Sequence, residues 1–203
     1  VSINPATWPD GATRMNAVLA MILTTVFMSL AQPVHSAVVP TEADLARWGQ
    51  QWDRLIPDGA YDFIPENFTF DLMFDPTFQA KLDEANLKLN NQLEGAAIDL
   101  AGFMVPLETE AGLVKAFLLV PEAGQCIHVP PPPVNQTIFV DSSAAPVPIR
   151  DLYQPIQVKG RLSVGRATHE IAESGYVLTP DVVETIDLGD DLVPVVPGAD
   201  GDR

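Results

Sequence analysis

Two observations predict an α+β fold: apolar residues recur with a helical period before Gly95 and with a strand period after it. A third bounds its size. The chain has 203 residues, 47% of them hydrophobic, which suffices for one packed core with appendages.

The first helix opens at Thr41, which with Asp44 has the pattern of a capping box. Leu45, Trp48, Trp52, Leu55 and Ile56 share one helical face, and Pro57 ends the run. Core packing is the expected use of that Trp stripe, rather than a ligand platform. Residues 58–75 read as loop. Asp75 then caps a second helix with Pro76 in its first turn, striped by Phe78, Leu82, Ala85, Leu89 and Leu93 and stopped by Gly95. Beyond it, Ile98–Leu107, Leu113–Val120, Thr137–Val140, Ile156–Val164 and Tyr176–Leu178 read as short strands, with a weaker one at Val182–Ile186. Gly102 and Gly160 fall inside strand patterns, where glycine marks bulges or corners. So many short strands predict a small antiparallel, OB-like barrel with both helices packed against it.

The termini read differently. Ala17 to Ala31 is uncharged, follows Arg14 and is too short for a membrane span, which needs roughly 20 apolar residues. It fits a secretory signal covering residues 1–37, with Val34-His35-Ser36 before the cut. The expected mature product is periplasmic, with no membrane span, a single domain over 38–188 and an acidic disordered tail over 189–203. Cys126 is the only cysteine, so neither a lipid-attachment cysteine at the cut nor an internal disulfide is expected. A lone thiol in an oxidising compartment must be buried, liganded or reactive.

Charge excludes partners. With 27 Asp plus Glu against 11 Lys plus Arg, the net charge is −16, which disfavours both nucleic acid and anionic lipid.

The densest signal is Gly124-Gln125-Cys126-Ile127-His128-Val129, followed by Pro130, Pro131, Pro132 and Pro133, then Val134, Asn135 and Gln136. Phe117-Leu118-Leu119-Val120-Pro121 precedes it, and Trp52-Asp53-Arg54-Leu55-Ile56-Pro57 and Gly102-Phe103-Met104-Val105-Pro106-Leu107 extend the pattern. These segments resemble a family of exported bacterial domains of unknown function, over roughly residues 50–188. Gln125, Val134 and Glu122 depart from the family's pattern and alter the surroundings of Cys126 and His128. The resemblance implies an accessory of ATP-binding-cassette transport systems, some of them associated with zinc acquisition.

Residue chemistry allows three readings. On an extended stretch, positions i and i+2 share a face, so Cys126 and His128 could converge on one Zn²⁺ or Cu(I) ion. Two ligands are too few, and His169, Glu122, Glu170 and Glu173 are the candidates to complete the shell. Alternatively, Cys126 is the nucleophile and His128 the base of a thiol-dependent enzyme, although no acid partner for His128 can be named. Thirdly, the proline run is a stiff polyproline II rod that docks on a partner's aromatic groove. A buried, inert thiol and a hydrogen-bonded histidine are the commonest use of such residues. His169-Glu170-Ile171-Ala172-Glu173 has near-zincin spacing but no third ligand, and Asn67-Phe68-Thr69 and Asn135-Gln136-Thr137 match a glycosylation pattern frequent by chance. The expectation carried forward is a periplasmic, non-enzymatic accessory protein of an envelope transporter, binding zinc through Cys126, His128 and His169.

Overall fold

The capping box forms as expected: the Thr41 hydroxyl accepts from the Asp44 amide, and the Asp44 carboxylate accepts from the Thr41 amide. The Thr41 hydrogen bonds, chiefly that of its backbone, hold the Asp44 carboxyl below the usual range. The structure, a computed structural model, describes residues 37–126 and 130–188. The expected signal segment, except Ala37, and the expected tail lie outside the described residues. Two α-helices, α1 (Glu42–Leu55) and α2 (Pro76–Asn86), precede six strands. These are β1 (Ala97–Glu110), β2 (Leu113–Val120), β3 (Ile138–Asp141), β4 (Val147–Pro148), β5 (Pro155–Thr168) and β6 (Glu173–Thr185).

The strands form one mostly antiparallel sheet in the order β1-β5-β6-β3-β2-β4, and β1 also pairs with β2. The pairings β1–β2–β3–β6–β5–β1 therefore return to their start, and β3–β6 is the parallel step. β1 and β2 join through Ala111 (φ 51°) and Gly112 (φ 80°), the positive dihedrals of a primed hairpin turn. Alternate residues of these five strands, including Leu100, Met104, Phe117, Leu119, Ile138, Ile156, Leu162 and Tyr176, make the main core.

Helix α1 docks on β1 through the Trp stripe. Trp48 and Trp52 are buried, and their indole N–H groups donate to the Asp99 carboxylate (3.1 Å) and the Ala101 carbonyl (2.7 Å). Arg47 and Gln157 also donate to Asp99, at 2.7 and 2.6 Å, so this carboxylate ties α1, β1 and β5 together. Leu45, expected on the buried face, is instead 44% exposed at the start of the helix.

Two of the expected elements, and the reading of one glycine, differ from expectation. α2 stops at Asn86 rather than reaching Leu93, because Asn90 is committed elsewhere. Its amide donates to the Tyr176 hydroxyl (2.8 Å), its side-chain amide donates to the Arg54 carbonyl (2.8 Å), and its side-chain carbonyl caps the 3-10 turn Asn91–Leu93. The two expected strands near the C-terminus are one, β6, which continues through Pro180. A register shift between Lys159 and Gly160 places Pro180 opposite Gly160, a bulge that tolerates a residue without an N–H. At Gly102 no register shift occurs; the glycine is required because an added Cβ would lie 2.6 Å from the Val120 carbonyl oxygen and 3.1 Å from the Trp52 ring.

Candidate functional site

After β2 the chain turns sharply. Gly124 (φ 80°) and Cys126 (φ 65°) both adopt the left-handed region, and the Gln125 side chain accepts from the Glu122 amide at 3.1 Å. The departure Gln125 thus braces its own turn. This geometry corrects the expectation of an extended stretch: Cys126 is not in β conformation, so strand alternation does not place its neighbours. His128 lies outside the described residues.

Cys126 packs against a second apolar cluster, formed by Val105, Leu118 and Val120 on β1 and β2 and joined by Phe139 and Ala172. It is half-buried, and desolvation pushes its thiol above the usual range. The thiol therefore stays protonated at neutral pH, the less reactive form. Maleimide labelling of the native protein at pH 7 is expected to run more than tenfold slower than of the unfolded chain. Because the thiolate is the reacting species, the native rate should keep rising with pH after the unfolded rate has levelled off. Equal rates in the two states would show an exposed, unperturbed thiol.

His169 reaches the same side of the sheet from the β5–β6 connection. Its ring stacks on Phe139, with centroids 4.7 Å apart and planes 11° apart, and its Nε2 lies 2.9 Å from the Ser174 hydroxyl. Burial lowers the His169 pKa, favouring the neutral ring. Phe139 pairs with Leu118 across β3–β2, which links the His169 stack to the cluster holding Cys126. Sequence reasoning misses both partners of His169: Ser174 sits five residues on, across the β5–β6 turn, while Phe139 arrives through the parallel β3–β6 pairing, which leaves no local signal. Of the other proposed ligands, Glu173 pairs with Arg166 at 2.7 Å, while Glu122 and Glu170 are exposed. Among the described residues, no group of three or more His, Cys, Asp or Glu is placed to hold a metal ion. The His169-to-Glu173 segment is a strand connection and not the helix that a zincin requires.

The proline run leads into the fold. Pro130 and Pro131 are exposed and Pro132 is buried, and Pro133 (φ −54°, ψ 152°) precedes the 3-10 turn Val134–Gln136. Asn135 is fully buried, donating to the Ala85 carbonyl (3.1 Å) and lying within hydrogen-bond distance of the Tyr61 hydroxyl. That burial removes it as a glycosylation acceptor and explains its place in the motif: it fastens the run to α2. The Thr137 hydroxyl donates to the Pro133 carbonyl at 3.0 Å, and the Gln136 amide donates to the same carbonyl at 2.8 Å. An open groove of about 380 Å³ lies between α2 and the run, lined by Asp83, Asn86, Leu87, Pro131, Pro132 and Val134 among others. No helix among the described residues is long and apolar enough to cross a membrane.

Comparison with curated proteins finds no match. A solved DUF3299 family protein from Pseudomonas aeruginosa PAO1 is 36% identical, with 68% of this chain and 95% of that chain covered and a TM-score of 0.51. Another solved structure, an OBody bound to hen egg-white lysozyme, is 12% identical over 51% of this chain and 93% of that chain, with a TM-score of 0.32 that is too low to argue from. The family model described as "Protein of unknown function (DUF3299)" matches residues 52–185, a span that runs from the buried Trp52 through the Gly124–Gln136 motif to the end of β6. On that match and the 36% identical relative, the chain belongs to the DUF3299 family.

Proposed function

We propose that this chain is a periplasmic, non-enzymatic accessory protein of an envelope transport system and that it holds a zinc ion through Cys126 and His128, with His169 as a further ligand. One observation carries the reading. Cys126 and His169 are distant in sequence, yet both stand against the apolar face of β2 and β3 that Leu118 and Phe139 share. His169 is held neutral, the state in which imidazole binds metal, and its contact with Ser174 is of the kind that orients a ligating ring. With Nε2 engaged by Ser174, Nδ1 is the nitrogen a metal would use. The ligand set needs His128, since the described residues alone do not complete it.

The protonated thiol argues against a Cys nucleophile, whereas metal binding would itself displace that proton. A bound zinc would supply a closed, non-redox centre that fixes the motif loop to the sheet. The transport role rests on the family likeness of the Cys126 motif. The cycle of strand pairings with its parallel β3–β6 step supports reading the sheet as an OB-like barrel.

Zinc calorimetry on the parent and on Cys126→Ala, His128→Ala and His169→Ala tests this. Parent protein should bind one zinc ion, and loss of Cys126 or His128 should weaken it more than tenfold, beyond what outer partners of a metal site usually cost. The protons released should increase the apparent affinity as pH rises from 6 to 8. Equal binding by parent and variants, or none by the parent, would remove the metal from the reading.

A further inference from the structure

We propose that the stretch Ile64–Phe74 is a docking surface for a partner protein that offers an apolar strip rimmed by Lys and Arg. This goes beyond the zinc reading and does not rest on it. Phe70 is 71% and Phe74 72% exposed, with Phe68 at 44% and Ile64 at 37%. Large apolar side chains grouped this way on one segment mark an interaction surface rather than scattered exposure. Phe70 and Phe74 face each other edge-on, with centroids 5.5 Å apart and planes at 81°.

The segment is held in this shape before any partner arrives. Phe63 and Phe68 pack on the buried Phe78 of α2, at 5.5 and 5.9 Å between centroids. The Gln79 side chain donates to the Met73 carbonyl at 2.6 Å, and the Asp75 carboxylate caps α2 by accepting from the Phe78 amide at 2.8 Å. Residues 70–74 form a 3-10 turn between these anchors. A surface fixed in advance loses less conformational entropy on binding.

Charge selects the occupant. Asp62, Glu66, Asp71 and Asp75 are interleaved with the aromatics, and no Lys or Arg occurs between Arg54 and Lys81. A second copy of the chain would bring the same acidic residues and a net charge of −16, so self-association through this face is opposed. An anionic lipid surface is opposed for the same reason. An apolar strip with basic flanks satisfies both the rings and the carboxylates, with complementary charge steering the encounter.

The test uses the full chain and a synthetic amphipathic helix whose leucine stripe is flanked by lysines, with a glutamate-flanked twin as control. Calorimetry should detect the lysine peptide and not its twin. The double variant Phe70→Ala/Phe74→Ala, which keeps every charge, should weaken binding at least tenfold. Glu66→Lys/Asp71→Lys, which keeps every ring, should also weaken it, and raising salt should reduce parent binding. Both pairs lie on an exposed segment, and an unchanged melting temperature will verify folding. Undiminished binding by the aromatic variant would mean that charge alone attracts the peptide, and the proposal fails. It fails equally if zwitterionic phosphatidylcholine vesicles bind as well as the peptide, or if sedimentation shows a dimer that the aromatic variant abolishes.

Discussion

Replacing Tyr176 by Phe should cost about 3 kcal/mol of stability, although it removes a single oxygen atom. That hydroxyl donates to the Leu55 carbonyl at the end of α1 and accepts from the Asn90 amide at 2.8 Å. Tyr176 is fully buried and Leu55 is 1% exposed, so water cannot readily substitute. The variant leaves a buried carbonyl and an amide without their partner, and each orphaned group costs roughly 1–3 kcal/mol. With roughly 2–4 °C lost per kcal/mol for a domain of this size, the melting temperature should fall by about 6–12 °C. Burial pushes the phenol above its usual range, so Tyr176 remains a donor through neutral pH, and the deficit should be the same at pH 6 and pH 8. A fall of less than about 2 °C would mean that the hydroxyl does not bridge α1, the Asn90 turn and β6.

That bridge also marks where sequence reasoning stops. Local signals are reliable here: Thr41 and Asp44 announce α1, and β2 occupies the apolar run Leu113–Val120 that reads as a strand. The Trp stripe was legible as core because its period matches a helix face, and both indoles are buried against β1. Asn90 shows the opposite case. Nothing in the local pattern says that its three polar groups are taken by Arg54, Tyr176 and its own 3-10 turn, so the apolar period carried the expected helix too far. Long-range bonds overrode a correct periodicity.

The candidate site divides along the same line. Cys126 and the proline run were visible as an unusual string of residues, but their conformation depends on a turn at Gly124–Cys126 that no apolar pattern encodes. His169 gains Phe139 through the parallel β3–β6 pairing, which joins segments far apart in sequence, whereas Ser174 lies five residues away across its own β5–β6 turn. Asn135 was visible only as a motif letter. Its burial against Ala85 gives the structural reason for the residue: a polar side chain at that depth must be hydrogen-bonded, and the bond ties the motif to α2.

Gly160→Ala should be the most damaging small substitution in the sheet. An added Cβ would lie 2.2 Å from the Thr179 carbonyl oxygen and 2.9 Å from the Pro180 Cα, both backbone atoms of the neighbouring strand β6. No side chain can rotate away to relieve such a clash. Either β5 and β6 separate, breaking ladder hydrogen bonds beside the core residues Val158 and Leu162, or the bulge rearranges. Overpacking costs typically 1–3 kcal/mol and occasionally more, and a backbone obstruction belongs at the upper end, at about 3 kcal/mol or above. Gly165→Ala supplies the comparison, since it lies on the same strand, near a second register shift, with no atom within 4 Å of the added Cβ. Alanine there should be neutral or stabilising by roughly 0.4–1 kcal/mol, because it restricts the unfolded chain without opposing the native one. Urea unfolding of the two variants beside the parent separates these effects. If Gly160→Ala unfolds at the parent's midpoint, or if Gly165→Ala loses as much as Gly160→Ala, then the close approach of β6 at the bulge is not what requires glycine.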